Sequence, residues 1–139
     1  MFNFLKKKES SKLQPIDIIS KTASLLIHAA KIDEIYSEHE KSLVKDFIKS
    51  YLGDNNIDEI LKKAEEIEKN SNQLLNFTNI IKQNSMEIKK DIIEHLWKVI
   101  ISDNTVDQYE SNLMRRICGL IYFPDKESAE IKLKLINSK

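Results

Sequence analysis

The sequence predicts an all-α protein that folds as a single compact domain, and three observations support this fold class. Glycine occurs only at Gly53 and Gly119 and proline only at Pro15 and Pro124, so the chain is poor in the residues that form the tight turns of β proteins. Apolar residues recur at steps of three and four along most of the chain, as on one face of an α-helix. A length of 139 residues suits one domain with one hydrophobic core.

About seven helices are predicted from this periodicity, with each end placed to within about 2–4 residues. They are expected at about 15–32, 38–52, 57–69, 72–83, 86–101, 108–122 and 126–137. The apolar stripes of five of them are Ile16, Ile19, Ala23, Leu26, Ile27 and Ala30; Leu43, Phe47 and Tyr51; Ile57, Ile60, Leu61, Ala64 and Ile67; Ile88, Ile92, Leu96, Val99 and Ile100; and Leu113, Ile117, Leu120 and Ile121.

Residues that favour helix ends support these positions. Pro15 fits a first helical turn. Candidate N-caps are Ser85, Asn55 or Asn56, and Asp125.

The helix at 86–101 is apolar over most of its circumference around Trp97. We therefore expect this helix and the first helix to pack at the centre of the domain. Trp97 itself is expected in the core rather than at a ligand site.

The charge balance argues against a nucleic-acid partner. Lysine and arginine total 22, as do aspartate and glutamate, so the net charge is zero and gives no overall attraction to nucleic acid or to an anionic membrane. The basic pair Arg115–Arg116 is expected on a solvated helix face.

The single cysteine, Cys118, allows no intrachain disulfide, which suits a cytoplasmic location. It follows Ile117 in an apolar run and is expected to be a small core residue rather than a catalytic thiol.

The N-terminal segment differs in character from the rest of the chain. We expect residues 1–14 to form a flexible arm and residues 15–139 to form the helical domain. The start, "MFNFLKKK", has too short an apolar patch for a secretory signal, and no apolar run approaches the roughly 20 residues of a membrane span. Phe2, Phe4 and Leu5 beside three lysines allow weak peripheral membrane contact as an alternative.

An acidic segment occurs twice in the chain. "AAKIDEIYSEHE" ends at Glu40, and "VIISDNTVDQYE" ends at Glu110. Asp103 and Glu110 follow Asp33 and Glu40 at the same offset of 70 residues, and core positions match core positions at that offset. The simplest explanation is a duplicated helix–loop–helix unit whose two copies are related by an approximate two-fold axis. Two copies are too few for a solenoid.

These segments resemble the paired signature of TerB-like domains, in which an apolar helix is followed by Asp-Gly, a short loop and a Glu that opens the next helix. "LLIHAAKIDEIYSEHEKSLVKDFI", "LWKVIISDNTVDQYESNLMRRICGLI" and the closing "YFPDKESAEIKLKLI" carry the resemblance, which covers roughly residues 15–137. It implies an all-α domain associated with tellurite resistance and stress responses.

The resemblance also implies a site and a possible partner class. Related domains form part of DnaJ-type co-chaperones, but the chain has no His-Pro-Asp of a J-domain. Divalent metal binding is implied at Asp33, Glu40, Asp103 and Glu110. The glycine that follows Asp in the family is here Glu34 and Asn104, and Asn adopts the left-handed conformation more easily than Glu.

Two interpretations of the acidic segments stay open. Ser37 with Glu40, and Asp107 with Glu110, have the spacing of capping boxes, which explains both glutamates without an ion. Alternatively, the second loop offers the oxygen ligands Asp103, Asn104, Thr105, Asp107 and Glu110 to a hard divalent cation such as Ca²⁺, Mg²⁺ or Mn²⁺. An Asp at a helix C-terminus opposes the helix dipole, so Asp33 and Asp103 need loop donors or a cation.

The preferred function is a non-enzymatic binding or sensing module in the cytoplasm, with protein partners. The alternative is a co-chaperone-like adaptor that works without metal. An enzyme is disfavoured because the sequence shows no positioned nucleophile and no cofactor motif. His28, His39 and His95 share no metal-ligand spacing.

Overall fold

The computed structural model describes residues 15–31, 36–54, 56–71, 73–102 and 108–138. The predicted N-terminal arm therefore lies outside the described residues. The described residues form seven helices and no strand, so the predicted all-α fold class is confirmed. The helices are α1 (Pro15–Ala30), α2 (Glu38–Leu52), α3 (Ile57–Lys69), α4 (Leu75–Thr78), α5 (Met86–Ile101), α6 (Gln108–Ile121) and α7 (Asp125–Asn137).

Helix α1 packs against α2, α3, α4 and α5. Small residues on one side of α1, Ser20, Ala23 and Ser24, are fully buried and allow close approach of a neighbouring helix. The Ser24 hydroxyl lies 2.8 Å from the Ser20 carbonyl of α1 and 3.0 Å from the Ala64 carbonyl of α3, so it shares its one proton between them. This contact satisfies a buried polar group and helps to hold α3 against α1.

Helix α5 is the second central helix. It contacts α1, α2, α6 and α7, and its buried residues cover most of its circumference. Trp97 is buried, and its indole N–H donates to the Ser128 hydroxyl of α7 at 2.9 Å. The predicted central positions of α1 and α5, and the predicted burial of Trp97, are therefore confirmed.

The two halves of the chain have corresponding helix contacts. In each half the first helix packs on the second and third, and the second packs on the third: α1, α2 and α3 in one half, α5, α6 and α7 in the other. Helices α1 and α5 contact each other across the halves. This correspondence agrees with a duplicated unit, and the two-fold axis itself stays a prediction.

The fourth helix is shorter than the expected 72–83. It spans only Leu75–Thr78, and the backbone then continues as turns. Some N–H groups in these turns bond to the carbonyl three residues earlier, as the Asn84 N–H does to the Ile81 carbonyl. The segment is rich in asparagine, whose side chain competes for backbone groups. Asn84 Nδ2 donates to the Ile80 carbonyl at 2.9 Å in this way.

Helix starts agree with the sequence at two positions and differ at one. Ser85 caps α5, since its hydroxyl accepts from the Ile88 N–H at 3.3 Å. Asn56 occupies the cap of α3 but forms no side-chain cap bond. Asp125 was expected as the cap of the last helix, and this prediction is wrong by one position. Pro124 is the cap because its extended backbone, with φ −63° and ψ 130°, precedes the first helical turn.

Among the described residues, no helix combines the length and the apolarity of a membrane span.

Candidate functional site at the two helix junctions

The junction between α1 and α2 contains a capping box. The Ser37 hydroxyl accepts from the Glu40 backbone N–H at 3.1 Å, and Glu40 Oε1 accepts from the Ser37 backbone N–H at 2.8 Å. The two bonds satisfy backbone donors that have no partner within the helix. The capping prediction for Ser37 and Glu40 is therefore confirmed, and Glu40 is buried, with 6% of the residue exposed.

A glutamate of α3 fixes the end of α1 that leads into this junction. Glu68 Oε1 accepts from Lys31 Nζ at 2.7 Å, and Glu68 Oε2 lies 3.4 Å from His28 Nδ1. Because His28 lies in the last turn of α1 and Lys31 directly follows the helix, this carboxylate holds the end of α1 against α3.

Tyr36 connects the other end of the same loop to α3. Its hydroxyl donates to Glu65 Oε2 at 3.1 Å, and the ammonium of Lys41 lies 5.5 Å from the centre of its ring. Burial, together with the charge of Glu65 and the hydrogen bond to it, raises the pKa of Tyr36 well above its usual range.

The contribution of α3 to this junction is not evident from the sequence. Glu65 and Glu68 lie three residues apart, a spacing that puts them on one helical face. That spacing was the available signal, but it does not distinguish a face that contacts a loop from a face in solvent.

The second junction runs from α5 to α6. The Ser102 hydroxyl donates to the Val99 carbonyl at 2.7 Å at the end of α5. Glu110 lies in the first turn of α6 and is buried, with 4% exposed. Its predicted capping partner, Asp107, lies outside the described residues, so the second capping box stays a prediction.

The five predicted metal ligands are divided between described and undescribed segments. Glu40 and Glu110 are described, and each lies in the first turn of a helix that follows an acidic loop. Asp33, Asp103 and Asp107 fall in the segments 32–35 and 103–107, outside the described residues. The structure therefore leaves the predicted ion site untested. Within the described ranges, no three His, Cys, Asp or Glu side chains are grouped so that they could hold a metal ion.

Cys118 lies in the core, as predicted, and its environment opposes a reactive thiolate. Burial raises the pKa of the Cys118 thiol to about 11, a hydrogen bond with Ser128 lowers it, and the charge of Asp125 raises it further. The thiol is therefore protonated at neutral pH, which disfavours a nucleophilic role.

The fold and the junctions define a class: a helical domain in which each central helix leads through an acidic loop to a helix that begins with a buried glutamate. Residues 20–133 match the family model described as tellurite resistance protein TerB, so the chain belongs to the TerB family. The resemblance found in the two acidic segments is thereby confirmed. No curated protein and no solved structure matches the chain.

Proposed function

We propose that this chain is a non-enzymatic cytoplasmic module of the tellurite- and stress-resistance type that binds a divalent cation through its two acidic loops. Its ligands are Asp33, Glu40, Asp103, Asp107 and Glu110. Membership of the TerB family supports the general type. Cation binding allows the module to couple metal level to the docking of a protein partner.

The observation that carries this proposal is the burial of Glu40 and Glu110. They occupy equivalent positions 70 residues apart, each in the first turn of a helix that follows an acidic loop. A buried carboxylate at the same place in both copies fits a shared role beside the two acidic loops, since carboxylate oxygens are ligands that hard divalent cations take.

The chemistry of hard cations explains why both loops are needed. Ca²⁺ takes about six to eight oxygen ligands, and Mg²⁺ takes an octahedron that usually includes several waters. With one oxygen from each proposed carboxylate, the first loop supplies two ligands and the second supplies three, so neither loop alone reaches six. A cation also compensates Asp33 and Asp103, which follow the C-terminal ends of α1 and α5, where the helix dipole disfavours negative charge.

Thermal melting in defined metal tests the proposal. Wild type is expected to melt several degrees higher in millimolar Ca²⁺, Mg²⁺ or Mn²⁺ than in chelator, because a ligand at about one hundred times Kd stabilises the fold by about 2.7 kcal/mol. Asp103→Asn and Glu110→Gln are each expected to remove this difference. Both replacements keep an acceptor oxygen for capping, so melting in chelator should change little.

Glu130→Gln is the matched control, because Glu130 is an exposed glutamate of α7 remote in sequence from both loops. This variant should keep the full metal-dependent shift. Identical melting of wild type in chelator and in all three ions would rule out the cation site. The acidic segments would then act as helix caps alone, in a protein-interaction adaptor that works without metal.

A further inference from the structure

A crevice of about 370 Å³ lies between α6 and α7, beside Trp97 of α5. The three helices contact one another, so the walls of the crevice are formed by packed helices rather than by a loop. Its volume is in the range of sites for small molecules.

Three of the four charged residues that line the crevice are cations. Arg115 comes from α6, and Lys126 and Lys132 come from α7, whereas Asp125 is the one acidic residue among the described residues that line it. In the described part of the chain, none of the three cations forms an ion pair. Like charges that line the same crevice repel one another, and a bound anion reduces that repulsion.

Hydrogen-bonding groups and an aromatic ring complete the lining. Ser128 accepts from the Trp97 indole N–H at 2.9 Å, which fixes the orientation of the ring, and Lys132 Nζ lies 5.3 Å from the ring centre. Ser111 adds a hydroxyl from α6. Guanidinium, ammonium and hydroxyl groups are the donors that bind phosphate oxygens in proteins.

We infer that this crevice binds a small molecule that carries a phosphate group. Arg115, Lys126 and Lys132 contact the phosphate oxygens, and Trp97 forms the wall beside them. Three cations and one carboxylate match the charge of a phosphate monoester, which is about −1.5 to −2 at neutral pH. The site shares no residue with the proposed cation ligands, so it stands or fails independently of them.

Trp97 provides the readout, because it is the single tryptophan of the chain. Inorganic phosphate and pyrophosphate are titrated separately at constant ionic strength, with chloride as the balancing anion. We expect a saturable change in Trp97 emission and a matching shift of its indole N–H signal in NMR spectra. Arg115→Gln is expected to raise the apparent Kd about tenfold, since it removes a charge-assisted hydrogen bond.

Arg116→Gln is the matched control. Arg116 is the next residue of the same helix, is also exposed, and lines a different groove with Leu75 and Leu120. It removes the same charge from the protein and should change the Kd by less than about twofold, because exposed charges are screened by salt.

Three outcomes contradict the inference. Equal weakening by Arg115→Gln and Arg116→Gln shows general electrostatics instead of a site. A response that chloride reproduces shows non-specific anion binding. No response of Trp97 to either probe shows that the crevice does not bind phosphate.

Discussion

At the scale of single residues, Tyr122 has a backbone conformation that costs free energy. It follows α6 with a φ of 61°, in the left-handed region that favours glycine. The Phe123 N–H donates to the Cys118 carbonyl at 2.9 Å, and the Tyr122 N–H donates to the Gly119 carbonyl at 3.4 Å. These two bonds have the pattern of a Schellman motif, whose left-handed position is usually glycine.

Tyr122→Gly is therefore expected to stabilise the protein by about 0.5–1 kcal/mol. Relief of the left-handed backbone gains about 1–2 kcal/mol, and the greater freedom of glycine in the unfolded chain costs about 0.5–1 kcal/mol. Little packing is lost, since Tyr122 is 70% exposed. Urea unfolding measures the difference.

Tyr122→Ala serves as the control for this substitution, because alanine keeps the Cβ atom that disfavours the left-handed backbone. It should not stabilise the protein. A lower stability of Tyr122→Gly would mean that the contacts of the ring with Lys82 and Lys89, each 5.9 Å from its centre, outweigh the backbone cost.

The two described non-glycine residues with positive φ differ in how far the sequence could predict them. Asn56, with φ 60°, belongs to a residue type that tolerates this conformation, and the sequence predicts either Asn55 or Asn56 as the cap of α3. Tyr122 gave no such signal, because its conformation is imposed by the burial of the following Phe123. Tertiary packing here overrides local preference.

At the scale of elements, the sequence predicted six of the seven described helices to within two residues at each end. Apolar stripes and caps such as Ser37 and Ser85 mark these helices because both signals are local in the chain. The exception is α4, where Leu74, Phe77 and Ile81 are buried but Asn76, Thr78 and Asn79 between them are poor helix formers. An apolar period alone could not predict that the helix would give way to turns.

The same apolar stripes predict which substitutions destabilise the core. Leu26 of α1 and Leu96 of α5 occupy matching positions in the repeat, and both are 0% exposed. Leu26→Ala and Leu96→Ala are each expected to lower the free energy of unfolding by about 2–5 kcal/mol, through lost burial and the cavity left behind. Urea melts provide the measurement.

Leu133→Ala tests the specificity of this effect. Leu133 lies on α7 and is 56% exposed, so its truncation should cost well under half as much. A loss below about half a kcal/mol for Leu26→Ala or Leu96→Ala would contradict the assignment of these stripes to the core.

At the scale of the whole molecule, the offset of 70 residues predicted which segments correspond, and the matching helix contacts of the two halves agree with it. The family could also be inferred, because the acidic segments are continuous in sequence. The sequence did not allow us to infer the hydrogen bonds of Tyr36 with Glu65 and of Lys31 with Glu68. The residues of each pair are about thirty or more positions apart, and their contact depends on how α3 packs. The crevice near Trp97 required the same long-range information.

Three groups that are protonated in the folded protein, each at a different contact between helices, make the molecule less stable at alkaline pH. Burial raises the pKa of the Cys118 thiol from 9.0 to about 11. Burial also raises the pKa of Tyr36 and Tyr51 above their usual value of about 10, and each hydroxyl donates to a carboxylate, that of Tyr51 to Asp91 Oδ2 at 2.5 Å. These groups therefore lose their protons at a lower pH in the unfolded chain than in the folded protein.

Stability is therefore expected to be complete below pH 9 and to fall as the pH rises. The unfolded state then binds fewer protons than the folded state, and each group contributes about 1.4 kcal/mol per pH unit while only its unfolded form is ionised. Cys118 contributes from about pH 9 to 11 and the two tyrosines from about pH 10 upward. Urea unfolding at pH 8 to 11 measures the slope.

Tyr51→Phe should cost about 1 kcal/mol at pH 8, through the lost bond to Asp91, and should lose stability less steeply above pH 10. Its curve must approach that of wild type at high pH; parallel curves would show that Tyr51 ionises alike in both states.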